Sequence, residues 1–293
     1  MSSKVFLLTG GSRGLGRAIA EAVLAAGHQL VGTARDPKRL DDLVERYGDD
    51  RIRAVALDVV DPDAAAAAVR TAVDAFGRLD VVVNNAGYAD LAAVEDVKLE
   101  DFRAQIDTNL IGVVNVTKAA LPVLRGQGSG HIIQVSSVGG RLATPGLGAY
   151  QAAKWAVGGF SEVLAAEVGP LGIHVTVLEP GGMRTDWAGS SMAIPPISDP
   201  YAPTVGAVAA RMSDFETAAA SDPVRVAELV LKVAELEDPP VRLLVGTDAY
   251  NYGRAAWRAR VDGDAEWEAL STSTDHADAT PESLDPLGRG GKR

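Results

Sequence analysis

Tyr150 and Lys154 are the residues of this chain best suited to move a proton, standing four apart in Tyr150-Gln151-Ala152-Ala153-Lys154. On a helix, positions i and i+4 share one face, so a phenol and an ammonium meet there. A free tyrosine titrates near 10, too high for ready exchange at neutral pH. A neighbouring ammonium favours the phenolate and is expected to lower that value. Such a phenol protonates a carbonyl oxygen in one direction and deprotonates an alcohol in the other.

A second constellation suits an anion. Thr9-Gly10-Gly11-Ser12-Arg13-Gly14-Leu15-Gly16 follows an apolar run at 5–8 and precedes an Ala/Leu-rich stretch. Glycines at 10, 14 and 16 permit a tight turn and close approach of backbone to a pyrophosphate at a helix N-terminus. The spacing is G-x3-G-x-G, not the commoner G-x-G-x-x-G of dinucleotide folds. A phosphate loop is rejected, because Arg17 and Ala18 stand where it needs Lys and Ser/Thr. Gly10-Gly11-Ser12-Arg13-Gly14 also matches the G-x-S-x-G elbow of hydrolases, which makes a Ser12 nucleophile an alternative; hydrolases place that elbow deeper in the sheet.

The next strand reads Leu30-Val31-Gly32-Thr33-Ala34-Arg35. Ala34 occupies the place of the acid that binds an NAD ribose, and Arg13 with Arg35 can clamp a 2′-phosphate. This favours NADP(H) over NAD(H). Asp36 is the rival acid by simple counting, although its place before Pro37 suits a helix cap. Asp58, ending the third strand, is either an acceptor for an adenine amino group or a turn residue.

Asn84-Asn85-Ala86-Gly87, Asn109, Ser136-Ser137, the Tyr150/Lys154 pair and Pro180-Gly181-Gly182-Met183-Arg184-Thr185 follow the glycine turn in order. In this order over residues 4–250 the sequence resembles the short-chain dehydrogenase/reductase family. Ser137-Val138-Gly139-Gly140 with Thr33-Ala34-Arg35 is similar to its hydroxysteroid and retinol dehydrogenase branch. The resemblance implies hydride transfer between a nicotinamide and a carbonyl or secondary alcohol. It implies four catalytic residues: Tyr150 as acid/base, Lys154 also on the nicotinamide ribose, Ser137 on the substrate oxygen, and Asn109 at a helix distortion that holds a relay water. Ser137 rather than Ser136 takes that role because it stands thirteen residues before Tyr150. Gly10, Ser12, Arg13, Gly14, Leu15, Gly16, Arg35, Asp58, Val59, Asn85, Ala86, Gly87, Pro180, Gly181 and Thr185 are the implied cofactor contacts, with Thr185 on the carboxamide. A catalytically idle NADP sensor on the same fold is the alternative that keeps these residues. The family commonly assembles as homodimers or homotetramers through the helices flanking the fifth strand.

These residues need a scaffold that brings strand ends together. Apolar runs at 5–8, 30–33, 52–57, 79–83, 131–135, 174–178 and 242–245 alternate with helical patterns at 17–26, 37–47, 62–76, 99–124, 149–168 and 224–236. That alternation predicts a single-domain, Rossmann-like doubly wound parallel sheet of about seven strands, helices on both faces. The domain is expected to span 1–260. Residues 186–222 are too long for a simple connection and suit a lid, with Trp187, Met192, Ile194, Pro195, Pro196 and Ile197 as an apolar wall facing Leu142. Residues 261–293 are polar and expected to be disordered.

The 28 basic and 39 acidic residues leave −11, which argues against nucleic-acid binding. Cysteine is absent, and His28, His131, His174 and His276 show no metal spacing, so ordinary turn or surface places are expected for them and no metal is expected. No stretch approaches the ~18 apolar residues of a membrane span, and the first apolar run is too short for a signal sequence. The reading is a soluble cytoplasmic protein acting on a small molecule.

Overall fold

Alternation along the first strand decides the layering. Val5 and Leu7 face one side of the sheet, Phe6 and Leu8 the other, and all four are buried. A strand buried on both faces needs helices on both. The structure, a computed structural model describing residues 3–185, 192–212 and 219–288, supplies them. In chain order, β1 (Val5–Leu8) is followed by α1 (Gly14–Ala25), β2 (Gln29–Ala34), α2 (Asp41–Tyr47), β3 (Ile52–Ala56), α3 (Pro62–Phe76) and β4 (Val81–Asn84). Then come α4 (Leu99–Ile106), α5 (Gly112–Gln127), β5 (Gly130–Val135), α6 (Gly148–Val168) and β6 (Ile173–Pro180). The last elements are α7 (Ala207–Met212), α8 (Pro223–Glu235), β7 (Arg242–Val245), α9 (Thr247–Glu266), α10 (Glu268–Thr272) and α11 (Pro281–Leu284).

The seven strands are parallel in the order β3-β2-β1-β4-β5-β6-β7. The fold is thus the single Rossmann-like doubly wound sheet that the βαβ alternation predicts. Strand order reverses between β1 and β4, and ligands of such sheets bind in the crevice beyond the carboxyl ends at that switch point. On one face α1 and α8 bury Ile19, Val23, Val226 and Val230 against Phe6 and Leu8. On the other, α3, α5 and α6 bury Val69, Val116 and Leu164 against Val5 and Leu7. Each such side chain contributes about 1.5–3 kcal/mol.

The elements differ from their sequence-predicted ends by at most three residues, apart from three revisions. The segment 37–47 opens with a 3-10 turn, Pro37–Leu40, before α2 begins. The stretch 99–124 is not one uniform helix: the π-helical turn Asp107–Ile111 separates α4 from α5. The expected boundary at 260 falls inside α9. The chain divides instead into units 1–253 and 254–293. Within the second unit α10 and α11 are short helices whose side chains are almost all exposed, and α11 is held by a Thr280–Ser283 capping box. Its Ala, Glu and Arg content favours helix even where no core forms.

Candidate active site

The glycine turn is built by packing as well as by sequence. Gly10 adopts φ +67° and Gly14 φ +53°, conformations that suit glycine. Thr9 Oγ1 accepts from the backbone N–H groups of Asn85 and Ala86, and Asn85 Nδ2 donates to the carbonyls of Thr9 and Gly10. The end of β4 thereby holds the end of β1. Beyond the turn, α1 starts with no side-chain cap and no acid in its first turn. By contrast, Asp61 caps α3 and Asp222 caps α8. The uncapped N–H groups of α1 are available to an anion.

A cleft of about 1150 Å³ opens over these strand ends. Every residue named above as catalytic or as a cofactor contact lines it, from Gly10 through Asp58 and Asn85 to Thr185. Arg13 and Arg35 are exposed on its rim and form no ion pair among the described residues. Asp36 does not line the cleft; it caps the 3-10 turn by accepting from Lys38 N–H at 3.2 Å. Asp58 lines the cleft and also accepts from Val60 N–H at 3.2 Å, so turn and cleft roles coexist. Arg17 is occupied by Glu21 and Asp42, away from any phosphate role. No histidine lines the cleft beside Ser12, which leaves a Ser12 nucleophile without that base among the described residues.

Three elements meet at the catalytic end. Asn109, fully buried at the centre of the π turn, donates from Nδ2 to the carbonyls of Gln105 at 2.9 Å and Tyr88 at 2.8 Å, while Oδ1 accepts from Tyr88 N–H. A side chain inserted into the i−4 ladder is what distorts a helix. A methyl group built on Gly87 would lie 2.5 Å from Asn109 Oδ1 and 3.6 Å from Lys154 Nζ, which places those two atoms over one glycine. Lys154 Nζ donates to the Val135 carbonyl at 2.9 Å and sits 5.6 Å from the Tyr150 ring centre. Ser137 Oγ accepts from Gly139 N–H at 2.9 Å.

The electrostatics revise one expectation. The phenol of Tyr150 is not lowered: burial pushes it up to about 12, against the opposing pull of its hydrogen bond with Ser137. The same burial lowers Lys154 to about 8. Removing both groups from water penalises phenolate and ammonium alike. At neutral pH the tyrosine is therefore a proton donor and the lysine a cation.

Of the expected apolar wall, Met192 lines the cleft, as does Leu142. Ile194, Pro195 and Pro196 are exposed, and Ile197 packs behind Met192. Trp187, with residues 186–191 and 213–218 of the expected lid, lies outside the described residues. Ile194, Pro195 and Pro196 are turned outward by ties to the loop after β4: Asp90 Oδ1 accepts from Ala193 N–H, Asp96 from Ser198, and Glu95 from the Tyr201 hydroxyl. They draw 193–201 along that loop.

Sequence reasoning overlooked several residues. Thr9 fastens the glycine turn. Gln151, inside the Tyr-Lys spacing, bonds Thr144, and Trp155 Nε1 donates to the Leu142 carbonyl, so α6 pins the loop carrying Leu142. Gln151 is almost wholly buried beside Tyr150, a placement that only the fold reveals. His28 and His131 are buried rather than superficial: His28 Nδ1 accepts from Lys4 N–H, and His131 bonds Thr176.

The residues present fit a nicotinamide dinucleotide: an uncapped helix N-terminus for its pyrophosphate, a positive turn-glycine cradle, and a donor phenol at the far end. Such a cofactor supplies or accepts the hydride. Ser137 and Tyr150 line the cleft together, hydrogen-bonded to each other.

Comparison with known proteins agrees with this geometry. Residues 4–193 match the short chain dehydrogenase family. The chain is 54% identical over 272 residues to Oxidoreductase BOA17 of Botryotinia fuckeliana, covering 93% of this chain and 99% of that protein. A short-chain dehydrogenase structure from Streptomyces avermitilis superposes with a TM-score of 0.86 at 38% identity, covering 94% of this chain and 100% of that one. An alcohol dehydrogenase from the archaeon Thermococcus sibiricus, complexed with 5-hydroxy-NADP, gives 0.69 at 26% identity, covering 83% and 96%. No helix among the described residues is long and apolar enough to cross a membrane. With this fold, this cleft and these relatives, the chain belongs to the short-chain dehydrogenase/reductase family and is an NAD(P)-dependent oxidoreductase acting on CH–OH donors.

Proposed function

We propose that the chain is a cytoplasmic NADP(H)-preferring reductase/dehydrogenase of apolar carbonyls and secondary alcohols, with Tyr150 as acid/base and Lys154, Ser137 and Asn109 around it. Arg13 and Arg35 carry the cofactor preference: two guanidiniums without ion-pair partners among the described residues flank the cleft where Ala34 supplies no acid. Asp36 is turned to a cap. The remaining cofactor contacts run from Gly10, Ser12, Gly14, Leu15 and Gly16 at the pyrophosphate through Asp58 and Val59 at the adenine. Asn85, Ala86, Gly87, Pro180, Gly181 and Thr185 serve the nicotinamide half.

The apolar substrate rests on the other end of the cleft. All three methionines beyond the first residue, Met183, Met192 and Met212, line it with Leu142, Leu147 and Tyr252. Thioether side chains fit varied apolar shapes. We also assign the chain to a homodimer or homotetramer, on the exposed Leu99, Ile111 and Val163 of the helices beside β5.

The test is titration of NADPH and NADH into wild type and Arg13→Ala/Arg35→Ala, with turnover of a panel of apolar ketones and aldehydes. Tight NADPH binding lost in the double variant, with weak NADH binding throughout, supports the reading. Equal affinity for both cofactors, untouched by the substitutions, overturns the preference.

A further inference from the structure

Asp248 is a carboxylate of the cleft to which no role above falls. It lies in the first turn of α9 and lines the cleft beside Gly181 and Gly182. Its Oδ2 accepts from the Gly182 N–H at 2.8 Å. A methyl group built on Gly181 would meet Oδ2 at 2.2 Å and Oδ1 at 2.4 Å, so the carboxylate is seated against the bare Cα of Gly181. Any side chain at 181 would expel it.

Gly182 is also the root of the lid. Ser221 N–H donates to the Gly182 carbonyl at 3.0 Å, and Arg184 N–H donates to the Ser221 carbonyl at 3.1 Å. The chain leaving the sheet toward the lid is paired there with the chain returning from it. Asp248 thus fastens the point where cleft, lid and sheet edge join.

Fastening uses only half of the group. One backbone N–H needs one acceptor, which serine or asparagine would supply. Oδ1 of Asp248 is buried without a hydrogen-bond partner, and no ion pair reaches the group among the described residues. A buried acceptor left unpaired is costly, and a negative charge beside a cleft is worth keeping where a positive charge arrives.

We propose that Asp248 is a positioning residue whose charge, seated behind Gly181, favours the oxidised, positively charged nicotinamide over the reduced, neutral one. The inference rests on the assignment of Pro180–Thr185 to the nicotinamide half of the cofactor. Gly181 is glycine, in this account, so that the carboxylate can approach the ring through bare backbone.

The experiment is fluorescence and calorimetric titration of NADP⁺ and NADPH into wild type, Asp248→Asn, Asp248→Ala and Asp90→Asn. Asp248→Asn keeps an acceptor for Gly182 and removes only the charge. It should weaken NADP⁺ by about tenfold, the order expected for one charge acting across several ångströms of protein, and leave NADPH within about threefold. Asp248→Ala should shift the same ratio and also loosen both cofactors. Asp90→Asn, a carboxylate on the lid side, should leave the ratio unchanged. Parallel weakening of both cofactors in Asp248→Asn, or no change in either, overturns the charge role while leaving the proposed function standing. Failure of wild type to bind either cofactor overturns that function and this inference with it.

Discussion

Gly16→Ala is the sharpest single test of how the glycine turn is held. A Cβ at 16 would lie 2.0 Å from the Gly10 carbonyl oxygen and 2.6 Å from Asn85 Nδ2. Ordinary contact begins at 3.4 Å, so the first turn of α1 must withdraw from the Gly10 carbonyl by 3.4 − 2.0 = 1.4 Å. Neither neighbour can yield alone. Gly10 is itself crowded by Ala86, and Asn85 is held by Thr9 and Gly10. The displacement therefore moves the uncapped N–H groups of α1 away from the place proposed above for the cofactor pyrophosphate. Overpacking of this kind costs the fold about 1–3 kcal/mol. A misplacement of about 1 Å in a positioning group costs about a hundredfold in function. The assay pairs thermal unfolding with NADPH titration and kcat/KM. Expected are a folded protein of lowered Tm and an NADPH affinity reduced by one to two orders of magnitude, as those costs imply. A folded variant with wild-type affinity would refute the claim that this contact sets the turn.

Three further outcomes follow from buried charge. Lys154, lowered to about 8 by burial, is charged below that pH and neutral above it, so carbonyl reduction should decline as pH rises past about 8. Lys154→Arg should move that limb beyond pH 10, and a pH–rate profile unchanged by the substitution would sink the assignment. His131 is lowered from 6.5 to about 3, chiefly by burial and then by His174 and Lys4. Its unfolded form takes up the proton first, so stability is full above pH 6.5 and is lost as pH falls toward 3, by up to about 5 kcal/mol. His131→Gln should flatten the acid limb of a pH series of urea melts; an unchanged limb would place the acid lability elsewhere. Glu179, fully buried, bonds Arg141 and Arg242, and Arg242 also pairs with the exposed Glu162. Glu179→Ala removes the buried carboxylate that the two guanidiniums share and should cost about 3–5 kcal/mol, read as a fall in Tm. A loss within 1 kcal/mol would mean that water already compensates the pair.

The sheet was legible because parallel strands covered on both faces read as short apolar runs, and each run at 5–8, 52–57 and 242–245 lands on β1, β3 and β7. The cleft was legible because its residues sit at the ends of those strands and their order is preserved along the chain. Local spacing could not show what depends on a distant partner. The family resemblance places Asn109 at a helix distortion, but what makes the π turn, Asn109 reaching the Tyr88 carbonyl, is a contact 21 positions away. The exposure of Ile194, Pro195 and Pro196 follows from Asp90 and Asp96 drawing Ala193 and Ser198 to a loop about a hundred residues earlier. Asp248 bonds a glycine 66 positions before it and carries no motif of its own.

The revised tyrosine changes how the catalytic end works. Spacing alone suggests that Lys154 makes Tyr150 a better base. In the folded chain burial raises the phenol to about 12 and lowers the ammonium to about 8, so the two values move apart and their usual order is reversed. Near neutrality both groups still hold their protons. The resting pair is therefore set to give a proton to a carbonyl oxygen, with Ser137 bonded to the phenol and able to share the developing charge. Running the reaction toward the ketone requires that phenol to release its proton against the same burial. A cation delivered beside it lowers that cost, and in this cleft Lys154 is the one protein cation placed to do so among the described residues. Rising pH then acts unequally on the two directions: it removes the Lys154 charge that both use, yet it also helps to deprotonate the tyrosine that only alcohol oxidation needs as a base. The oxidation optimum should consequently lie above the reduction optimum in pH, and coincident optima measured with the same substrate pair would show that Tyr150 does not carry the proton.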